Sequence, residues 1–362
     1  MTKTDHLILT LDAGGTNLVF SATENGNLLG KKVHMPSASQ NLEEFLKKVS
    51  LGFSTLQKQL NRRATAISFC FPGPADYESG IIGDLENLPF FRGGVPLARM
   101  LENEFHIPVF INNDGDLFTL GEALAGLLPE INRQTKKKFK NLLGVTLGTG
   151  FGGGIVNNGK LYRGDNSAGG EINRMSNFIN RNQSAEEVLS IRGIRHLFAQ
   201  QTGVSFDDTP VPYDIFQIGM AKKTGNQQAA IEAWKIFGQV LGDALANAVS
   251  LTDSCVAIGG GLSGAHPLFL QYAVDQMNNT FQKADNSHMS RMEIKAYNWE
   301  NPNEKKAFLK DDSVLVDVPF SDEKLRFYPV KKIAVGINRL GTSGAVAHGA
   351  YAFAINQLEK QA

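Results

Sequence analysis

The sequence predicts an α/β protein with two lobes, each built around a largely parallel sheet. Strand and helix patterns alternate over the first part of the chain, as they do in sheets whose strands are joined by crossover helices. The same order starts again at Leu142, after a third helical pattern. The length of 362 residues also exceeds what a single hydrophobic core usually holds, which favours two domains.

The first half of the chain contains short apolar runs and longer amphipathic stretches. The apolar runs predict strands over residues 7–11, 18–22, 28–34, 66–71 and 109–112. Hydrophobic residues at helical spacing predict helices over residues 42–61, 97–105 and 117–128. Asp116 directly precedes the third helix and is the preferred candidate for its N-cap, because aspartate is among the favoured cap residues.

The second half repeats this order with insertions. It contains predicted strands over 142–147, 154–157 and 255–258, and predicted helices over 185–198, 229–250 and 345–361. Residues 281–332 are polar and irregular, with alternating stretches such as 313–318. We interpret them as an insertion that carries a few exposed strands.

Composition limits the classes of function. With 42% hydrophobic and 20% charged residues, the chain is typical of soluble globular proteins, and we find no apolar run of the roughly 18 residues that a membrane span needs. Lys+Arg and Asp+Glu both number 36, which disfavours nucleic acid as a partner. Cys70 and Cys255 lie in apolar runs, so we expect reduced, buried thiols and a cytoplasmic protein. The first strand begins close to the start of the sequence, so no secretory signal is expected.

Two glycine-rich turns are the strongest functional signal. The first is LDAGGTN, from Leu11 to Asn17, and the second is TLGTGFGGG, from Thr146 to Gly154. Each turn lies between two apolar runs, which predicts a β-hairpin. Because glycine adopts positive φ and lets the backbone approach a ligand, such turns can hold phosphate oxygens with their N–H groups. Two facing hairpins would enclose a polyphosphate from both sides.

Two other phosphate-binding patterns fit less well. Residues 148–153 also match G-x-G-x-x-G, but that dinucleotide fingerprint requires a helix directly after the glycines. Here an apolar strand and an Asn-Asn-Gly turn follow, so the hairpin is favoured. A Walker A loop is not formed, because Gly159-Lys160 is followed by Leu161 instead of Ser or Thr.

Asp12 and the run Gly259-Gly260-Gly261 each allow two interpretations. Asp12 follows a buried strand, where an unpartnered carboxylate is costly, and a metal–phosphate partner would remove that cost. Asp12 could also be a plain turn residue. The three glycines end a predicted strand and would allow close approach of a flat ligand such as adenine, or would simply form a flexible turn.

Seven segments follow one another along the chain: LDAGGTN, FPGPAD, ENLPFFRG, INNDGD, LGTGFGGGIV, AGGEI and AIGGG. In this order they resemble the ROK sugar kinases (repressors, open reading frames and kinases) of the actin-like ATPase superfamily. The resemblance covers residues 7–265 and the segment GTSGAVAHGA near the end.

The resemblance implies a two-lobed α/β fold of the actin-like ATPase (ribonuclease H-like) type, with a mixed sheet flanked by helices in each lobe. It implies an N-terminal lobe of residues 1–118 plus 346–362 and a C-terminal lobe of residues 119–345. A homodimer is the expectation from the family.

The resemblance also assigns site residues. The phosphates of ATP would be lined by Gly14, Gly15, Thr16, Gly148, Thr149 and Gly150, and the adenosine would be bordered by Gly259, Gly260 and Gly261. Asp114 matches the catalytic aspartate. The sugar would be bound by Gly73, Asn87, Asn113, Glu171 and Glu186.

One departure from the family concerns its zinc loop. Arg174 stands where the family commonly has a histidine, and no cysteine lies between Cys70 and Cys255. We therefore predict that zinc is not a cofactor. Arg174 would either donate a charged hydrogen bond to the sugar or pair with a nearby carboxylate.

The predicted function is ATP-dependent phosphorylation of a hexose, foremost glucose to glucose 6-phosphate, with N-acetylmannosamine, fructose and allose as alternatives. A sugar-sensing regulator of the same family would carry a helix-turn-helix before the first strand, but that strand begins by Leu7. An actin-like ATPase without a sugar site is disfavoured by the Asn113-Asp114 pair and by ENLPFF.

The chemistry of a sugar kinase gives roles to the aspartates. Asp114 follows a strand and precedes a helix, so it would lie beyond the carboxyl end of a sheet, where α/β proteins bind ligands. There it would accept the proton of the sugar hydroxyl as general base. Mg²⁺ would be held by Asp12 and Asp114, through water, and would bridge the phosphates.

Overall fold

The computed structural model describes residues 6–13 and 17–361. Its strands form two main sheets and three short hairpins. In chain order the strands are β1 (Leu7–Ala13), β2 (Asn17–Glu24), β3 (Asn27–Pro36), β4 (Ala66–Cys70), β5 (Ala75–Asp76), β6 (Ile81–Ile82), β7 (Val109–Asn112), β8 (Leu142–Leu147), β9 (Phe151–Asn157), β10 (Lys160–Tyr162), β11 (Cys255–Gly259), β12 (Thr280–Gln282), β13 (His288–Ser290), β14 (Lys295–Asn298), β15 (Val314–Asp317), β16 (Lys324–Phe327) and β17 (Lys332–Ile337).

The helices pack on both sheets and connect their parallel strands. In the part of the chain that the structure describes, none of them combines the length and the apolar character needed to cross a bilayer. In chain order they are α1 (Leu42–Leu60), α2 (Leu97–Phe105), α3 (Asp114–Leu124), α4 (Leu127–Gln134), α5 (Ile191–Thr202), α6 (Pro212–Gly219), α7 (Gln227–Thr252), α8 (His266–Met277), α9 (Pro302–Leu309) and α10 (Thr342–Gln361).

The two sheets repeat one topology. The first has the order β3-β2-β1-β4-β7, in which β1, β2 and β3 are antiparallel and β4 and β7 run parallel to β1. The second has the order β10-β9-β8-β11-β17-β14, with the same antiparallel trio followed by parallel strands. This repetition confirms that the chain pattern restarts at Leu142.

Helix α3 crosses α10 between the two sheets. A Cβ on Gly121 would collide with the Ala345 carbonyl, and one on Gly349 would collide with the Leu117 carbonyl. The two helix backbones are therefore in direct contact. Leu117 of α3 belongs to the core of the second sheet, whereas Ala354 of α10 packs on the first sheet.

Three segment predictions were wrong in part. The helix expected over 117–128 begins at Asp114 and ends at Leu124, and α4 follows it separately. The helix expected over 185–198 is a short 3₁₀ turn followed by α5, because Ser190 caps α5 by accepting a hydrogen bond from the Gly193 N–H. Residues 281–332 do include two exposed hairpins, but β14 joins the second sheet beside β17 and is not a peripheral insertion.

Candidate active site

The carboxyl ends of β1, β4 and β7 meet at one edge of the first sheet. Asp12 is the penultimate residue of β1, Cys70 ends β4, and Asp114 follows β7 after one residue. Burial raises the pKa of the Cys70 thiol, and the negative charges of Asp114 and Asp12 raise it further. The charges of the two carboxylates that we predicted as magnesium ligands therefore both affect the Cys70 thiol. Asp12 itself is exposed, so the burial cost that we inferred for it is wrong.

Asn113 forms the N-cap of α3. Its backbone is extended, with φ −72° and ψ 152°, and its side-chain oxygen accepts a hydrogen bond from the Gly115 N–H at 2.8 Å. The Asp114 carboxylate accepts from the same N–H, also at 2.8 Å. The prediction that Asp116 caps this helix is wrong, because β7 leads into α3 three residues earlier than we expected and the cap position falls on an asparagine.

Asp116 lies inside the first turn of α3 and is almost fully buried. It is 3% exposed, and its Oδ1 atom has no hydrogen-bond partner among the described residues. Burial raises the pKa of this carboxyl to about 8, with smaller contributions from the nearby charges of Asp114 and Glu171, while the Arg163 guanidinium acts in the opposite direction. The side chain is therefore protonated at neutral pH, at which other aspartates are ionised.

Tyr77 joins the predicted sugar loop to the start of α3. Its hydroxyl donates to the Phe71 carbonyl at 2.9 Å and accepts a long hydrogen bond from the Asn113 amide at 3.4 Å. A Cβ on Gly73 would lie 3.0 Å from the same hydroxyl, so Gly73 and Asn113 are close together. Burial raises the pKa of Tyr77, and so do the charges of Asp114, Asp116 and Glu171, whereas the hydrogen bond with Asn113 lowers it.

Glu171 reaches this region through a stack of glycines. Gly115 of α3 packs against the Gly153 backbone in β9, and the Gly170 carbonyl lies on Gly153 from another direction. Gly170 has a φ of 92°, which favours glycine over other residues. The glycines of β9 thus bring the exposed Glu171 near the start of α3.

The second glycine turn is a β-hairpin, as predicted. Strands β8 and β9 pair antiparallel with Leu147 opposite Phe151, and the Gly148 N–H donates to the Gly150 carbonyl at 3.0 Å. Glu186 accepts from the Phe151 N–H at 2.9 Å and lies against Gly150. Glu186, predicted from the resemblance to contact the sugar, is therefore in contact with the second phosphate turn.

The first glycine turn also connects antiparallel strands, since Ala13 of β1 is paired with Leu18 of β2. The predicted phosphate-binding residues Gly14, Gly15 and Thr16 lie outside the described residues.

The Gly259–Gly261 run lies beside the second turn. Strand β11 pairs with β8, so Gly259 is opposite Thr146. Gly260 has a φ of 86°, and its N–H donates to Thr342 Oγ1 at 3.0 Å. Beyond Gly148 and Gly261, a Cβ would meet no atom within 4 Å. Thr149, which follows Gly148, is exposed, so the carboxyl edge of the second sheet offers open space at both glycine runs.

The remaining predicted sugar ligands are on the surface. Arg174 is exposed and forms no ion pair with a carboxylate of the described residues, so the structure does not support the pairing alternative. Asn87 is exposed in a loop that Arg92 holds by donating to the Leu85 and Phe91 carbonyls at 2.8 and 2.7 Å. Over residues 6–13 and 17–361, no three His, Cys, Asp or Glu side chains are grouped as metal ligands would be.

Comparison with known proteins identifies the family. The ROK family profile matches residues 8–301. The chain belongs to the ROK family. The crystal structure of a glucokinase from Parabacteroides distasonis superposes with a TM-score of 0.90 and 43% sequence identity, covering 98% of this chain and 99% of that one. The two-lobed fold predicted from the sequence is thereby confirmed.

Curated relatives in the ROK family are named as kinases of different sugars. The chain is 27% identical to the glucokinase of Halalkalibacterium halodurans over 290 residues, which is 74% of this chain and 84% of the relative. It is 28% identical to the N-acetyl-D-glucosamine kinase of Vibrio cholerae over 273 residues, which is 70% of this chain and 83% of the relative. The chain is therefore a sugar kinase, and ATP use follows from the family.

Two residues of this region escaped the sequence analysis. Tyr77 follows FPGPAD directly, but a single aromatic residue after a turn cannot be distinguished from a core residue by pattern alone. Arg163 follows a short exposed strand, where an arginine is ordinary. Only the fold brings their side chains to the start of α3.

Proposed function

We propose that this chain transfers the γ-phosphate of ATP to a hexose hydroxyl, foremost that of glucose to give glucose 6-phosphate, with Asp114 as general base. The main support is the convergence at the start of α3, where Asp114, Asn113 and Tyr77 meet the sugar loop at Gly73. The second glycine turn reaches the same helix through the contact of Gly115 with β9.

Asp114 has the position that a base for a sugar hydroxyl needs. It is exposed at the first position of α3, whereas the neighbouring carboxyl of Asp116 is buried. The positive end of the helix stabilises negative charge there, both on the carboxylate and on a phosphoryl group. Asp114 accepts the hydroxyl proton as the sugar oxygen bonds to phosphorus and the bond to the ADP oxygen breaks.

The glycine turns provide the nucleotide side. Gly148, Thr149 and Gly150, with Gly14, Gly15 and Thr16, line the phosphates of ATP, and Gly259, Gly260 and Gly261 border the adenosine. The open space beyond Gly148 and Gly261 supports this assignment, because any side chain there would occupy the volume of the ligand.

Mg²⁺ fits the donors at the carboxyl edge of the first sheet. Asp12 and Asp114 are exposed carboxylates whose charges act on one thiol, and Mg²⁺ is usually bound by one or two carboxylates together with substrate phosphates and water. When bound, the ion neutralises negative charge on the phosphates. Asp12 and Asp114 would hold it through water.

The choice of glucose is supported by the likeness to the Parabacteroides glucokinase, which is 43% identical over nearly the whole chain. Relatives named as N-acetyl-D-glucosamine kinases favour a second candidate, an N-acetylated hexosamine. Glu171 and Arg174, which are both exposed and three residues apart, would be part of the surface that distinguishes these sugars. A cytoplasmic homodimer without zinc completes the proposal, and light scattering and metal analysis test the dimer and the zinc.

The test is ADP release from ATP and Mg²⁺ with glucose, N-acetylglucosamine, N-acetylmannosamine, fructose and allose in turn. We expect turnover to depend on the sugar and to be fastest with glucose. Fastest turnover with N-acetylglucosamine would replace glucose by the second candidate. Turnover that is independent of sugar, or none with any sugar, would contradict the proposal.

A further inference from the structure

Strand β7 carries the site but is the outermost strand of the first sheet. It pairs only with β4 in the sheet order, where Asn112 is opposite Cys70, and the Phe71 N–H donates to the Asn112 carbonyl at 2.9 Å. The next residues are the cap Asn113 and the base Asp114. Any shift of the end of β7 therefore moves Asp114.

Arg163 contacts β7 from the other half of the chain. It directly follows β10, a strand of the second sheet, and its Nη1 donates to Asn112 Oδ1 at 3.3 Å. The guanidinium carbon lies 5.2 Å from the centre of the Phe353 ring in α10, and that ring packs edge-on against Phe110 with centroids 6.0 Å apart. Phe110 and Asn112 share one face of β7, since alternate residues of a strand point the same way. Arg163 thus contacts this face of β7 directly at Asn112, and at Phe110 through the Phe353 ring.

Asn112 depends on this contact. Its side chain is fully buried, and its Nδ2 atom has no hydrogen-bond partner in the described residues. The hydrogen bond from Arg163 is the one that the structure shows for the carboxamide. A buried amide without any partner is costly, so loss of the guanidinium would favour rearrangement at the end of β7.

We propose that Arg163 is a positioning residue for phosphoryl transfer, holding the Asn112–Asp114 segment from the opposite lobe so that the base meets the sugar hydroxyl in the reactive geometry. This inference rests on the proposed function, because it takes Asp114 as the base. It predicts that Arg163 affects the chemical step more than the binding of either substrate, since a small displacement of the base lowers the rate steeply, whereas Asn113 is only one of several predicted sugar ligands.

The experiment compares the full-length wild type with Arg163→Ala and Arg163→Lys in steady-state assays with ATP, Mg²⁺ and glucose, or the best hexose of the panel. For Arg163→Ala we expect kcat to fall about tenfold to a hundredfold, with both KM values within about threefold of the wild type. Arg163→Lys keeps the charge but not the planar fork, so it should recover part of kcat. Guanidinium chloride, at concentrations too low to shift the melting curve, should also restore part of the Arg163→Ala rate.

Arg195→Ala is the matched control. Arg195 Nε donates to Thr209 Oγ1 at 2.8 Å and its guanidinium lies 4.3 Å from the Phe206 ring centre, so it makes the same two kinds of contact away from α3. This variant should lose thermal stability and keep kcat. The inference is overturned if Arg163→Ala keeps the wild-type kcat, if its loss lies mainly in KM, or if neither lysine nor guanidinium restores any rate. A wild type without hexose-dependent ADP release would overturn the proposed function and this inference together, whereas an active wild type with an undiminished Arg163→Ala would overturn this inference alone.

Discussion

Helix α3 carries two buried carboxyl groups with opposite surroundings. Glu122, near its end, is fully buried and accepts backbone N–H groups from Leu127 at 2.8 Å, Arg339 at 3.0 Å and Leu340 at 2.9 Å. Asp116, in the first turn, is nearly as buried, but its Oδ1 atom has no hydrogen-bond partner within residues 6–13 and 17–361. Buried polar groups are normally hydrogen-bonded, so the unsatisfied Oδ1 atom of Asp116 is more informative than the burial of its side chain.

The difference distinguishes Glu122, which has a structural role, from Asp116, which lies beside the proposed base. Glu122 links the end of α3 to the segment that leads into α10, and its three backbone N–H partners hold the carboxylate in one position. Asp116 is adjacent to the proposed base and incompletely satisfied, which is common where a site is shaped for something other than stability. Four variants can break or sharpen this comparison.

The largest effect is expected at the satisfied carboxyl. Glu122→Ala leaves three backbone N–H groups in a buried place without an acceptor, so we expect a loss of about 3 kcal/mol or more in the free energy of unfolding. Denaturant titration measures it, and Glu43→Ala, which removes an exposed carboxylate of α1 that pairs with Lys47 at 2.5 Å, is the control with a smaller loss. Equal losses in the free energy of unfolding for the two variants would show that the three buried hydrogen bonds of Glu122 do not give it a special structural role.

The next effect concerns the exposed aspartate beside Asp116. Asp114→Asn removes the proposed base while preserving shape, so we expect the rate of hexose phosphorylation to fall about a hundredfold or more with little change in melting temperature. Asp214→Asn is the control, since Asp214 is also a first-turn aspartate and pairs with Lys223 at 2.7 Å. A variant at Asp114 that keeps more than about a tenth of the rate would rule out the role of base.

Asp116→Asn tests the unsatisfied carboxyl through pH. Burial raises the pKa of the Asp116 carboxyl to about 8 in the folded protein, whereas in the unfolded chain this carboxyl ionises near its ordinary pKa. Between these two pH values the carboxyl is protonated in the folded state and ionised in the unfolded state. The wild type thus loses stability as pH rises from about 4 to 8, and the asparagine variant lacks this loss. We expect the advantage of the variant over the wild type to grow as the pH rises from about 4 to about 8 and to stay constant above that, measured by denaturant titration without nucleotide or Mg²⁺. An advantage that is constant with pH would show that Asp116 is already ionised in the folded state.

The smallest effect locates the helix cap. Asn113→Ala should cost about 1 kcal/mol in the free energy of unfolding, and Asn113→Ser, which keeps a cap oxygen, only a few tenths. Thermal melts compare the two. Equal stability of the alanine and serine variants would mean that the Asn113 side chain does not stabilise the start of α3.

The sequence was sufficient for the five strands of the first sheet, for β8, β9 and β11 of the second and for the two hairpins, because apolar runs and glycine turns specify them locally. It did not predict β10, β14 and β17, which complete the second sheet. It placed Asp116 at the cap because aspartate and asparagine are both good cap residues, and only the length of the connection between β7 and α3 decides between them. The satisfied role of Glu122 could not be predicted, since a glutamate within a helix is ordinarily exposed and its N–H donors come from Arg339 and Leu340, far along the chain. The contact between Arg163 and Asn112 is likewise a product of the two lobes meeting.

The glycine crossing of α3 and α10 has a consequence for how the molecule unfolds. Leu117 and Leu120 of α3 complete the core of the second sheet, yet the same helix begins at the edge of the first, and Ala354 of α10 rests on Ile8 and Ala66. Unfolding of either lobe would expose apolar faces of α3 and α10, and the other lobe needs these helices to cover its own core. We therefore expect one calorimetric transition for the whole chain, and halves cut within α3 should not fold as separate pieces.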